Sequence, residues 1–238
     1  MPKQTIQPYL VLFLGILAVS SAAILISFAR AQGIPAIVIA ALRLSFASLI
    51  LFPYAFARQR GEWRKLSRRD FLLALASGVL LAFHFAFWIS SLDYTSVMSS
   101  VVLVSTNPFF VGLASVLFLR EPLRRGTVIG ILIASIGGAL IGLTDLGQGG
   151  ANSLQGDLLA LLGAATVSGY LLIGRKLRQQ LSLIAYIGLV YTTAAIVLLA
   201  LAIFFGANLF GYSPWGYALI LLLALGPQLI GHSSFNWA

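Results

Sequence analysis

Apolar runs of roughly 20 residues, each closed by charges or turn-forming residues, recur along the whole chain. They cover residues 8–28, 34–54, 70–91, 95–119, 127–143, 157–174, 182–205 and 214–237. A helix that crosses a bilayer needs about 20 apolar residues, and a helix pairs its backbone polar groups within itself, as lipid requires. The pattern therefore predicts an all-α polytopic membrane protein whose eight spans are joined by short loops. The first run follows Lys3 without a small-residue cleavage site, so it reads as a retained helix and not as a signal peptide.

Composition closes off alternatives. Of 238 residues, 60% are hydrophobic and 9% charged, whereas a soluble domain carries about a quarter charged. No room is left for a soluble domain. The chain has no Cys, which removes disulfides, thiolate catalysis and Cys-ligated metal. No metal-ligand cluster or cofactor motif replaces it, so neither a metal nor a cofactor is expected.

A formal charge of +9 would suggest nucleic acid in a soluble protein, but its placement suggests topology. Lys3, then Arg58, Arg60, Arg64, Lys65, Arg68 and Arg69, then Arg120, Arg124 and Arg125, then Arg175, Lys176 and Arg178 all fall on one side of the predicted spans. Arg30 stands on the other side and Arg43 inside span 2. The positive-inside rule puts the N-terminus and the basic loops in the cytoplasm. A cytoplasmic membrane protein with no nucleic-acid role follows. The loop from Arg58 to Arg69 is also suited to anionic lipid.

The chain repeats itself. Gly15 and Ser20 of span 1 recur as Gly163 and Ser168 of span 6, an offset of 148 residues. The same offset pairs Leu73, Ala76, Gly78, Leu81, His84 and Phe87 of span 3 with Leu221, Ala224, Gly226, Leu229, His232 and Phe235 of span 8. Leu and Ala matches weigh little among apolar helices, but the only two His of the chain fall in register. Five spans then form one unit and the sixth opens another, inserted from the opposite face: an inverted-topology repeat, as in many secondary transporters. The division expected is 1–145 for the first repeat, 146–155 for an external linker and 156–238 for an incomplete second repeat. Counterparts of span 4 and span 5 would fall at about 243–291, so the sequence reads as part of a protein of about 290–300 residues.

Polar residues inside the spans are the candidates for function. Arg43 lies near the middle of span 2, where a charge costs about 2.5–3.5 kcal/mol, and suits an anionic group such as a substrate carboxylate; a structural donor to backbone carbonyls is the other reading. Its counterpart is Tyr191. His84 and His232 read either as substrate or proton contacts or as hydrogen-bonded interior residues. No Asp or Glu lies deep in a span, which argues against a carboxylate proton relay. In span 4, Ser96, Ser99, Ser100, Thr106 and Asn107 share an arc of roughly 120° at helical spacing, and Pro108 removes a backbone donor and kinks the helix. These groups read as a pathway lining or as polar contacts between helices. Gln228, Ser233, Ser234 and Asn236 make span 8 similarly polar. Gly126-xxx-Gly130 and Gly138-xxx-Gly142 allow close helix packing, internal or in a homodimer.

Leu92-Asp93-Tyr94-Thr95-Ser96, Asn107-Pro108-Phe109, Arg120-Glu121-Pro122 and the run from Gly130 to Gly137-Gly138 resemble the EamA-type repeat of the drug/metabolite transporter superfamily. Pro35 and Arg43 are similar to that family's second span. The resemblance implies ten helices in two inverted five-helix repeats, of which eight are present here, a central cavity and alternating access. It implies a cavity role for Arg43, His84, Trp88, Ser99 and Asn107, and a cytoplasmic-end role for Glu121, which also reads as a helix cap or a partner of Arg124 and Arg125. The family's small four-helix relatives carry a membrane-embedded Glu in their first helix. This chain has none, so proton-coupled drug export does not carry over.

The function expected is a secondary transporter or facilitator moving a small metabolite, such as an amino acid, outward. Its site would join Arg43, His84, Trp88, Ser96, Ser99, Ser100, Asn107, Tyr191, His232 and Asn236. A non-transporting assembly partner or an inactive fragment is the alternative. An enzyme is not expected: Ser168-Gly169 and His232 are the best parts for an intramembrane hydrolase, yet Thr166 stands where a Gly-x-Ser-Gly motif needs its first Gly.

Overall fold

The computed structural model describes residues 6–117 and 120–237, apart from the side chains at 139 and 141–152. Lys3, Gly142 and most of the expected linker lie outside the described side chains. Span 1 is two helices, α1 (Gln7–Ser20) and α2 (Ala22–Ala31). The hydroxyls of Ser20 and Ser21 donate to the Ile16 and Ala18 carbonyls at 2.8 Å, back-bonding of the kind that bends helices. Span 2 is α3 (Ala36–Lys65), which continues beyond the expected end at residue 54. The segment from Arg58 to Lys65, expected in a loop, is helical because charge ends a membrane span but not a helix: Arg, Gln, Glu and Lys all favour one. Trp63 folds this extension back, donating from Nε1 to the Ala185 carbonyl at 2.9 Å and stacking on Phe52 at 5.9 Å.

Span 3 is α4 (Arg68–Ser91). Span 4 is divided into α5 (Val97–Val104) and α6 (Asn107–Leu117). Pro108 sits in the first turn of α6, where its missing N–H costs nothing, and the Ser105 and Thr106 hydroxyls cover the Val101 and Leu103 carbonyls at 2.6 Å. Spans 5 and 6 are drawn as one helix, α7 (Arg125–Leu177), of 53 residues, unbroken across residues 146–155. Such a helix is about 80 Å long, far beyond the about 30 Å of hydrocarbon. Its two apolar stretches, Arg125–Gly138 and Ser153–Leu177, are the segments that fit a bilayer. Span 7 is α8 (Leu183–Phe204). Span 8 joins α9 (Pro214–Leu223), a π-helix (Ala224–His232) and α10 (Ser233–Trp237). Among the described residues the regular structure is helical, and seven segments are long and apolar enough to cross a membrane.

The chain forms two compact units, Met1–Val79 with Ile173–Ala238, and Leu80–Leu172. This grouping cuts across the sequence repeats, since each unit takes helices from both. In unit 1, α3 packs on α8, α1 on the π-helix and α10, and α2 on α9. Glycines permit the approach: a Cβ on Gly15 would stand 2.6 Å from Ser234 Cβ. In unit 2, Gly156 of α7 sits where a Cβ would be 2.6 Å from the Thr95 nitrogen, and one on Gly163 would be 3.2 Å from Trp88 Cβ. By the 148-residue offset, α1 corresponds to the second stretch of α7, and the π-helix to the middle of α4. The same helix pairing thus occurs once in each unit.

Two buried polar clusters as the candidate site

Unit 1 surrounds a cation. Arg43 is wholly buried in α3 among Ile39, Ala40, Leu44 and Ala47, which are buried too. Across from it α8 presents Tyr191, equally buried and an electrostatic neighbour of the guanidinium. The Tyr191 hydroxyl donates to the Gln228 carbonyl at 3.4 Å and shares a hydrogen bond with Ser233 Oγ at 3.1 Å. A hydroxyl has one proton, so Ser233 donates to Tyr191 whenever Tyr191 donates to Gln228. Two links brace α8 behind this group: Ser48 Oγ to Thr192 Oγ1 at 2.7 Å, and Ser77 Oγ to Tyr186 Oη at 2.6 Å.

The π-helix supplies the third side. Pro227 lies inside it, and π segments inside α-helices are frequent at functional sites. Gln228 is wholly buried, and neither Oε1 nor Nε2 has a hydrogen-bond partner among the described residues. His232 is buried, with its ring edge-on to Phe235 at 6.2 Å. Its carbonyl accepts from Asn236 Nδ2 at 2.8 Å, and the Asn236 carbonyl accepts from Arg178 Nε at 3.1 Å. Asn236 is therefore the tie between α10 and the basic end of unit 1. There burial lowers the Arg178 guanidinium from its ordinary value, against the opposing charge of Glu62 and then Tyr186. Arg43 can hold a carboxylate bidentately, with Gln228 able to donate a further N–H.

Unit 2 buries no Arg or Lys among the described residues. On α4, His84 Nδ1 lies 2.9 Å from the Gly163 carbonyl. A carbonyl only accepts, so Nδ1 carries the proton and Nε2 of the neutral ring is an acceptor. The ring stacks on Trp88 at 5.8 Å and 11°. Ser91 Oγ donates to the Trp88 carbonyl and pairs with Ser100 Oγ, both at 2.6 Å. Trp88 Nε1 and Ser99 Oγ are buried without a hydrogen-bond partner among the described residues. Thr95 Oγ1 donates to Asp157 Oδ1 at 2.8 Å beside the close approach at Gly156.

The remaining candidates fall elsewhere. Ser96 is exposed and caps α5, accepting from the Ser99 N–H at 3.1 Å. Asn107 opens α6 half-buried, and its carbonyl lies 3.0 Å from Ser168 Oγ, which also bonds the Ala164 carbonyl at 2.7 Å. Both of these Ser168 partners are carbonyl oxygens, and neither is a base. Pro108 and Glu121 are exposed, and the Glu121 N–H closes a turn onto the Ser115 carbonyl at 3.0 Å. Arg43, Tyr191, His232 and Asn236 fall in unit 1; His84, Trp88, Ser96, Ser99, Ser100, Asn107 and Pro108 fall in unit 2. The Gly126 and Gly130 positions meet nothing within 4 Å, whereas a Cβ on Gly138 would lie 3.3 Å from Thr106 Cγ2, so of these glycines it is Gly138 that packs internally. Sequence reasoning missed Ser77 and Tyr186 altogether; a Ser and a Tyr in separate apolar spans carry no spacing that links them.

Comparison with known proteins agrees with this architecture. Residues 8–143 match the EamA-like transporter family. A Bacillus subtilis (strain 168) protein named "Uncharacterized transporter YetK" is 26% identical over 215 residues, covering 87% of this chain and 64% of that protein. A second from the same organism, "Uncharacterized transporter YxxF", is 29% identical over 157 residues, 64% of this chain and 49% of that protein. The chain therefore spans just under two thirds of the first relative's length and about half of the second's. A solved crystal structure superposes with a TM-score of 0.69 over 97% of this chain and 77% of that one, at 18% identity, which is a likeness of fold.

Proposed function

The chain belongs to the EamA-like transporter family, and from that premise we propose that it serves a secondary transporter or facilitator that moves a small carboxylate-bearing metabolite across the cytoplasmic membrane, most simply outward. Two inverted repeats rock about a midplane site, and Arg43, with Gln228 of the same unit, holds the carboxylate. One observation carries this reading: Trp88 Nε1, Ser99 Oγ and the Gln228 amide are polar, buried and without hydrogen-bond partners among the described residues. Leaving such a group unpaired costs about 1–3 kcal/mol. A substrate that hydrogen-bonds such a group offsets that cost.

The test is efflux from cells expressing the protein, wild type against Gln228→Ala, Ser99→Ala and the exposed control Ser96→Ala. Efflux is expected to fall about tenfold in the first two, roughly one hydrogen bond to a charged or polar substrate group, and to hold in the control. Unchanged efflux in both buried variants, with expression preserved, would remove the proposed site.

A further inference from the structure

The start of α4 carries an open groove that the transport site does not use. It encloses about 600 Å³ and is lined by Arg68, Arg69, Leu72, Leu73 and Ala76. Helical spacing puts Leu72 one turn below Arg68, and Leu73 one turn below Arg69. Leu72 is 53% exposed, while the other side of the helix is engaged: Ser77 bonds Tyr186, and a Cβ on Gly78 would stand 2.5 Å from Thr193 Cβ.

Both nearby carboxylates are hydrogen-bonded elsewhere. The Asp70 carboxylate accepts from Ser67 Oγ at 2.8 Å, and Ser67 Oγ accepts in turn from the Asp70 N–H at 3.0 Å. Glu62 accepts from the Ser182 N–H at 2.7 Å. Arg68 and Arg69 make no ion pair or hydrogen bond among the described residues, and Arg64 and Lys65 end α3 beside them in sequence. From Arg68 to Ala76 the helix rises about 12 Å, within the roughly 15 Å depth of one hydrocarbon leaflet. Two cations therefore stand over an apolar wall at the first turn of a helix long and apolar enough to cross a membrane.

We propose that this groove binds one acidic phospholipid of the cytoplasmic leaflet, its phosphate held by Arg68 and Arg69 and one acyl chain lying along Leu72, Leu73 and Ala76. A soluble anion would gain from the guanidiniums and nothing from the leucines. A zwitterionic lipid would bring its own cation toward them.

Native mass spectrometry of the protein extracted from phosphatidylcholine vesicles doped with phosphatidylglycerol tests this. Wild type retains phosphatidylglycerol in preference. The double variant Arg68→Gln/Arg69→Gln loses retention about thirtyfold, the equivalent of about 1 kcal/mol per charge at a membrane surface. Arg58→Gln/Arg60→Gln removes the same charge outside the groove and changes it less than about threefold, by screening. Ala76→Trp keeps every charge yet fills the groove, and lowers retention about tenfold, the loss of a few buried methylenes. Thermal melting establishes that each variant is folded. Equal losses from both charge pairs would mean a diffuse field and overturn the site. Full retention in Ala76→Trp, or displacement of the lipid by glycerol phosphate, would mean that only an anion is read and overturn the groove; absence of any lipid preference would overturn both.

Discussion

Unit 1 buries a guanidinium among apolar side chains, whereas unit 2 buries hydroxyls, an indole, a carboxylate paired with Thr95 and an imidazole whose tautomer is set by one backbone carbonyl. The internal repeat does not make them copies. The offset of 148 pairs Arg43 with Tyr191, and because α3 packs on α8 these two counterparts meet inside one unit. The same offset pairs His84 with His232, and those fall in different units. One repeat relation has been turned into a contact between unlike residues, and the other into two separate environments. A charge suits recognition of an opposite charge, and among the described residues the wholly buried cation lies in unit 1.

The largest expected effect separates the two clusters by charge. Arg43→Ala is expected to lower uptake or efflux of a carboxylate substrate about a hundredfold, as for truncation of one partner of a buried charged pair at 2–5 kcal/mol. Arg43→Lys restores only a small part, because an ammonium lacks the planar fork. A loss in His84→Ala equal in size and equally selective for carboxylate would break the assignment of charge recognition to unit 1.

Next comes packing. Gly156→Ala drives a Cβ to 2.6 Å from the Thr95 backbone nitrogen, which cannot rotate away, so it should destabilise by about 1–3 kcal/mol. Gly231→Ala meets Val19 Cγ2, a side chain and not backbone, and should cost less. Gly126→Ala, with nothing within 4 Å, should leave the melting temperature unchanged or slightly raised. Thermal melting in detergent ranks the three, and the reverse order would contradict the glycine contacts.

Smaller again are the single hydrogen bonds. Tyr191→Phe and Ser100→Ala each remove a side-chain link and should each cost about 1 kcal/mol in stability. Only Tyr191→Phe should raise the transport KM, about fivefold, since Tyr191 faces Arg43 while Ser100 is bound to Ser91. Ser96→Ala removes the cap of α5, worth about 0.5–2 kcal/mol, and should leave the transport rate within about twofold.

The spans were legible because hydrocarbon thickness imposes a length that a sequence displays directly. Arg43 and His84 were legible for the same reason, as rare polar residues in apolar runs. The extension of α3 to Lys65 was not, since the features that end a span do not end a helix. Nor was the π-helix: Gly226, Pro227 and Gly231 permit it, but its backbone pairing depends on α1 and α3 packed against it. Gly126 and Gly130 misled because spacing alone cannot say whether a small residue faces a neighbour. Ser96 belonged by angle to the polar arc of span 4, yet its place just before Val97 made it a cap.

Charge recognition by Arg43 is tested most directly by transport into proteoliposomes of two probes that differ in one group, an amino acid and its carboxamide, by wild type and Arg43→Gln. Wild type should favour the carboxylate at least about tenfold, the worth of a charged over a neutral hydrogen-bonded contact, and Arg43→Gln should treat the two alike. A preference for the carboxylate that survives in Arg43→Gln would contradict the account.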